Sequence, residues 1–215
     1  MNTRYLFCFL FYVAMQMGAS AYGQYRDGCT LLCEAAKGGD LERLEMLICR
    51  GADVDWADYG QLTPLYWASA NGRTGCVHAL LKAGARVDGL AAELDSPLRV
   101  AVAKGHFEVV EALIDAKADV DHLVQGVSLL ALAINREDLK MVELLIAAKA
   151  DLNKPSMIGN AYIDPFLGPA TPLYWAIYNS CIDVARALLQ AGAHPNGLNG
   201  VCIMQELGPD ATCLG

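Results

Sequence analysis

Apolar residues in this chain fall at helical spacing in short bursts, and the bursts themselves recur. Leu44, Leu47 and Ile48, like Val110, Leu113 and Ile114, follow i, i+3, i+4, the one-sided pattern of a helix that buries one face. A shorter burst precedes each. It reads Thr63-Pro64-Leu65-Tyr66-Trp67-Ala68 and again Thr171-Pro172-Leu173-Tyr174-Trp175-Ala176, with weaker copies at Thr30–Ala35, Ser96–Ala101 and Ser128–Ala133. A Thr or Ser before the first apolar residue can cap a helix start through its hydroxyl. Pro64, Pro97 and Pro172 then sit where a helix loses no donor. The third residue of each copy is Leu32, Leu65, Leu98, Leu130 and Leu173, in steps of 33, 33, 32 and 43. A period near 33 predicts a solenoid of helix pairs, each too poor in inward apolar surface to stand alone.

A second marker keeps the same steps: Gly51-Ala52-Asp53-Val54-Asp55, Gly84-Ala85-Arg86-Val87-Asp88, Lys117-Ala118-Asp119-Val120-Asp121, Lys149-Ala150-Asp151-Leu152-Asn153 and Gly192-Ala193-His194-Pro195-Asn196. Gly39, Gly72 and Gly105 mark the ends of first helices, where a left-handed residue is cheapest. With these residues the chain resembles the ankyrin-repeat family, whose signature is Thr-Pro-Leu-His-x-Ala, a Gly, an apolar helix and Gly-Ala-Asp-Val-Asn. The resemblance spans residues 25–198 and implies an all-α ankyrin-repeat solenoid of stacked helix-turn-helix repeats with turn or β-hairpin tips. Its five repeats fall at about 25–57, 58–90, 91–122, 123–153 and 167–198, with an insertion at 154–169 and a tail at 199–215. The family His is replaced by Cys33, Tyr66, Arg99, Ala131 and Tyr174. Glu137 and Ser180 stand where the first helix usually meets Gly, and the fourth repeat lacks one residue and its Pro. Local distortion is expected there.

The amino-terminal stretch reads differently. Arg4, an uncharged run from Tyr5 to Met15 and the small residues Ala19-Ser20-Ala21 have the layout of a secretory signal peptide cleaved after residue 21. The run is short for a membrane span, which needs roughly 20 apolar residues. A secreted or secretory-pathway protein is therefore expected (periplasmic in a bacterium). The alternatives are a cytoplasmic protein and an amino-terminal anchor. Beyond that stretch lie Cys29, Cys33, Cys49, Cys76, Cys181, Cys202 and Cys213. An odd count leaves at least one thiol free or paired between chains. Cys49 and Cys76 read as buried structural thiols, and a Cys202–Cys213 bridge would pin the tail.

Net charge is −8, without a basic cluster, which excludes an obvious nucleic-acid or anionic-membrane surface. Paired Asp53/Asp55 and Asp119/Asp121 recur at one repeat position, so they read as turn residues that satisfy backbone amides, not as catalytic or calcium-binding carboxylates. The four histidines are scattered, with no His-Glu-x-x-His helix, nucleophile elbow or Gly-rich phosphate loop. No catalytic residue, cofactor or metal site is expected.

The resemblance implies protein binding through a concave face of turn tips and first-helix surfaces. Its positions transfer to Tyr59, Leu62, Gln125 and Val127 at the tips. At the ends of first helices they transfer to Asn71, Asn135, Arg136, Tyr178 and Asn179. Tyr and Arg are enriched among interface hot spots, which puts Tyr59, Arg136 and Tyr178 first. Trp67 and Trp175 read as packing residues. The insertion, which stretches the last step to 43, carries Tyr162, Ile163, Phe166 and Leu167 between prolines. Insertions in repeat proteins map to loops on one face. These residues either fold back over the neighbouring groove or meet a partner.

Overall fold

The computed structural model describes residues 30–58, 60–90, 95–157 and 170–195. The chain divides into two compact units, Met1–Leu90 and Ala91–Gly215. The first holds helices α1 (30–38), α2 (Leu41–Cys49), α3 (Pro64–Ala70) and α4 (Thr74–Lys82). The second holds α5 (Pro97–Lys104), α6 (Phe107–Asp115), α7 (Leu129–Asn135), α8 (Leu139–Ala147), α9 (Pro172–Tyr178) and α10 (Ile182–Gln190). Among the described residues the extended structure is limited to two isolated bridges, so the all-α expectation holds. The expected leader at 1–21 and the tail cysteines lie outside the described residues.

The described helices run seven to nine residues, below the length at which an isolated helix persists in water. Packing holds them. Leu65, Leu98, Leu130 and Leu173 of the first helices are at most 2% exposed, as are Leu80, Leu113, Leu145 and Leu188 of the second helices. Each buried leucine contributes roughly 1.5–3 kcal/mol. In the first unit α4 packs against both α3 and α2. In the second, α5, α7 and α9 form one row, each paired with its own second helix, and α8 packs against α10.

The predicted caps form. Thr63, Ser96, Ser128 and Thr171 accept hydrogen bonds from the amides of Tyr66, Arg99, Ala131 and Tyr174 at 3.2, 3.1, 3.1 and 3.4 Å. The recurring Asp residues also take the turn role. Asp53, Asp119 and Asp151 each accept the amide two residues on, from Asp55, Asp121 and Asn153. Those second residues reach onward to the next repeat. Asp55 accepts from the Arg86 amide, Asp121 from Asp151 and Asn153 from His194, each at 2.8 Å.

The distortion expected at Glu137 and Ser180 is absent. Both adopt the left-handed backbone, φ 56° and 58°, that Gly39, Gly72 and Gly105 adopt at 82°, 64° and 77°. The closing bonds repeat as well: Asp138 N–H to Ala133 O at 3.2 Å and Cys181 N–H to Ala176 O at 2.8 Å match His106 N–H to Ala101 O at 3.0 Å. The bonds returning from the residue beyond the turn are those of a Schellman helix end.

Both breaks in the period fall at one structural position. From Leu32 to Gly51, Leu65 to Gly84, Leu98 to Lys117, Leu130 to Lys149 and Leu173 to Gly192 the step is always 19. All variation is therefore confined to the tips. The second repeat's tip is closed by Asp58 and Leu62, with Asp58 N–H bonded to Leu62 O at 3.1 Å. The fourth repeat's tip is one residue shorter, a Val124–Val127 bridge with bonds of 3.3 and 3.0 Å. Gln125 and Gly126 there have φ of 53° and 76°, the two-residue turn with both central residues left-handed that suits a hairpin. The insertion occupies the same place in the fifth repeat, between Ser156 and Ala170, which bridge at 2.9 and 3.2 Å.

Candidate protein-interaction surface

The tips and the first-helix ends are where the expected binding residues fall. Tyr59, Tyr162 and Phe166 lie outside the described residues. Leu62 is half-buried, with its amide donated to Asp58 Oδ1 at 3.0 Å. Val127, expected as a tip residue open to a partner, is instead 7% exposed, because its side chain belongs to the hairpin stem. Gln125 is exposed at its tip.

At the helix ends, Asn71 caps α3 and donates Nδ2 to Trp67 O at 2.8 Å. Asn179 caps α9 and is half-buried. Asn135 and Arg136 are exposed at the end of α7. Arg136 is also engaged within the chain: Nη1 donates to Ala103 O at 2.8 Å, and the guanidinium lies over Gly105. Arg73 does the same to the repeat before it, with Nε donating to Lys37 O at 3.4 Å and its stem over Gly39. Each arginine satisfies a carbonyl that the end of a helix leaves without an intrahelical partner.

Tyr178 is 51% exposed. Its ring stacks on Tyr174 at 6.3 Å and meets Trp175 edge-on at 5.8 Å, and Tyr174 and Trp175 are 5.5 Å apart. In the sequence Tyr174 stands where the family has His. Its i, i+4 spacing to Tyr178 was the available sign that the two share a helix face. In the first unit Tyr66 and Trp67 make a similar edge contact at 5.7 Å, and Lys37 Nζ lies 4.6 Å from the Trp67 ring centroid, a cation–π distance.

The two tryptophans also hold the tips. Trp67 Nε1 donates to Asp58 Oδ2 at 2.9 Å, while Asp58 Oδ1 accepts from Gly60 and Leu62. Trp175 Nε1 donates to Ser156 O at 2.9 Å, the carbonyl that also accepts from Ala170. Ser156 is 1% exposed and its hydroxyl accepts from Ser128 Oγ at 3.1 Å. Met157 N–H bonds to Gly126 O at 2.8 Å, joining neighbouring tips. Trp175 is 7% exposed, as a packing residue should be; Trp67 is half-buried.

The cysteines split. Cys33 and Cys76 are buried, Cys181 is intermediate and Cys49 is exposed. The expectation for Cys49 is thus corrected, since it lies on the outer side of α2's last turn. Burial pushes the Cys76 thiol above its usual range, with Asp40 and Glu45 adding to the rise and Arg73 opposing it. Burial raises Cys181 too, helped by Glu137. A raised thiol is a poor nucleophile. Among the described residues no group of His, Cys, Asp and Glu could hold a metal ion, and no helix is long and apolar enough to cross a membrane.

A 60-residue stretch is 42% identical to the ADP-ribosylation factor GTPase-activating protein AGD2 of Arabidopsis thaliana. The match covers 28% of this chain and 8% of that protein, so the chain spans under a tenth of this relative. The family model described as ankyrin repeats (3 copies) matches twice, over residues 5–91 and 98–199. Ankyrin repeats generally mediate protein–protein interaction, and the family is typically non-enzymatic. With capped short helices, left-handed helix ends and a repeat-wide match, the chain belongs to the ankyrin-repeat family.

Proposed function

We propose that the chain is a non-enzymatic scaffold that binds a protein partner through its first-helix ends and tips, with the 154–169 insertion as part of the contact. The observation that supports this is where the insertion hangs. Its stem at Ser156 and Ala170 is tied by Trp175 to α9, the helix that exposes Tyr178. An exposed stacked tyrosine on the helix that anchors the stem of an apolar insertion matches the make-up of interface hot spots. In the second unit Asn135, Arg136 and Asn179 then serve as polar contact residues, with Tyr162 and Phe166 in the insertion; in the first unit Asn71, Tyr59 and Leu62 hold the corresponding positions. Residues 1–21 act as a leader that sends the protein into the secretory pathway.

The test uses chemical crosslinking of the full chain in its native cells. A partner recovered with the natural protein should be lost or weakened at least about tenfold by Tyr178→Ala or by shortening 158–169, a hot-spot loss. Met46→Ala, on an exposed second-helix position, should retain it. Equal loss in all three variants would overturn the surface assignment.

A cytoplasmic adaptor or inhibitor is the second reading, favoured by one observation: the family match begins at residue 5, within the proposed leader. Amino-terminal sequencing separates the two. A start at Tyr22 or Gln24 supports export, and an intact Met1 supports the cytoplasmic reading or an amino-terminal anchor.

A further inference from the structure

Three tips have described stems and differ in length along the chain, and what sits above each stem differs with it. The shortest, Val124–Val127, closes through its own turn, with Gln125 and Gly126 both left-handed. Its helix carries Leu132 at the position that Trp67 and Trp175 hold in their repeats. The longer tips, Asp58–Leu62 and Ser156–Ala170, each receive an indole N–H on the first residue of the stem. The acceptors are chemically different, a carboxylate oxygen at Asp58 and a main-chain carbonyl at Ser156. The shared element is therefore the donor and its position.

A two-residue turn with both residues left-handed sets strand register by itself. A longer connection leaves more of the register to contacts made by the stem, and its closure entropy grows with length. We infer that Trp67 and Trp175 are positioning residues that clamp the register of the two longer tips, one of ordinary length and one enlarged by the insertion, holding their stems where the bare turn of the fourth repeat needs no help. The indole reaches Ser156 O alongside the Ala170 amide, so the clamp acts on the carbonyl that closes the stem. At the second repeat it acts on the carboxylate that also gathers the Gly60 and Leu62 amides. That the clamped tips meet a partner rests on the reading above; the clamp itself does not.

The experiment is amide hydrogen exchange on the full chain, which needs no partner. Trp175→Phe keeps an aromatic ring and removes the N–H. It should speed exchange at Ser156 and Ala170 about fivefold, the loss of one ordinary hydrogen bond. Val142 in the core should stay within about twofold, because effects at independent sites do not spread. Replacing 157–169 by Gln-Gly, in imitation of residues 125–126, should make the stem self-sufficient. Trp175→Phe in that background should then change Ser156 and Ala170 by less than about twofold. Equal acceleration in the long-tip and short-tip chains, or uniform acceleration that includes Val142, overturns the clamp and leaves an ordinary packing residue. Should the shortened chain fail to fold, Trp67→Phe stands in for it. It must speed Leu62 relative to Val77, and an unchanged Leu62 rate overturns the inference at that tip.

Discussion

Left-handed turns close both ends of these helix pairs, and the chain fills them in two ways. In one set of positions the residue is Gly: Gly39, Gly51, Gly72, Gly84, Gly105 and Gly192. In the other it is Lys117, Glu137, Lys149 or Ser180, with φ between 56° and 70°. The hydrogen bonds that follow are alike, as Ala118 N–H to Leu113 O at 3.0 Å and Ala85 N–H to Leu80 O at 3.0 Å illustrate. The comparison teaches that the repeat's packing dictates the turn, and that a side chain there costs strain without changing the path. Such strain is about 1 kcal/mol at the low end for a non-Gly residue. At Gly39 and Gly105 a second demand appears, because an arginine of the following repeat lies over the glycine.

The sharpest way to break the comparison is to put a side chain where both demands act. Gly39→Ala places a Cβ 2.7 Å from Arg73 Cδ at φ +82°, and should lower stability by about 2–3 kcal/mol from strain plus displaced packing, read as a fall in the urea midpoint. Gly105→Ala meets the more mobile tip of Arg136, at 3.0 Å from Nη2. It should cost about 2 kcal/mol, the strain plus the loss of the Arg136 bond to Ala103 O. If that division is right, Arg136→Ala in the Gly105→Ala background should show a coupling of about 1 kcal/mol in a double-mutant cycle. Gly51→Ala meets nothing within 4 Å, so strain alone should cost about 1 kcal/mol. A loss as large as that of Gly39→Ala would show that arginine overlay is irrelevant. Smallest, and opposite in sign, Lys149→Gly or Lys117→Gly should raise stability by about 0.5 kcal/mol, strain relief reduced by the looser unfolded chain. A loss on either substitution would show that the lysine side chain contributes more than its backbone strain removes.

Much of this architecture could be read along the chain because it depends on local chemistry. Thr63, Ser96, Ser128 and Thr171 cap helices wherever they precede an apolar burst, and Asp53 or Asp119 closes a turn with an amide two residues away. What could not be read depends on where a neighbour lies. Arg136 carries the marks of a binding residue, yet its guanidinium caps a carbonyl 33 positions earlier, a partner that no local spacing names. Cys49 looks like Cys76 in a helical pattern, but the one faces outward from α2 and the other faces α4's buried side. At Glu137 and Ser180 the departure from Gly was visible while its consequence was not, since tertiary packing overrides the residue's own preference.

The fixed 19-residue step between each first-helix leucine and its second left-handed turn has a practical consequence for anyone building on this chain. Sequence length can be added at the tips without disturbing the helix pairs. The stem at Ser156 and Ala170 is closed by paired main-chain bonds. A foreign peptide spliced between those two residues would enter and leave at adjacent points. Each doubling of its length should add only about 0.6 kcal/mol of closure cost. The fifth tip is thus a grafting port for displaying an epitope or a reporter, with Trp175 fluorescence, beside the stem, as a built-in gauge of whether the graft has left its seat intact.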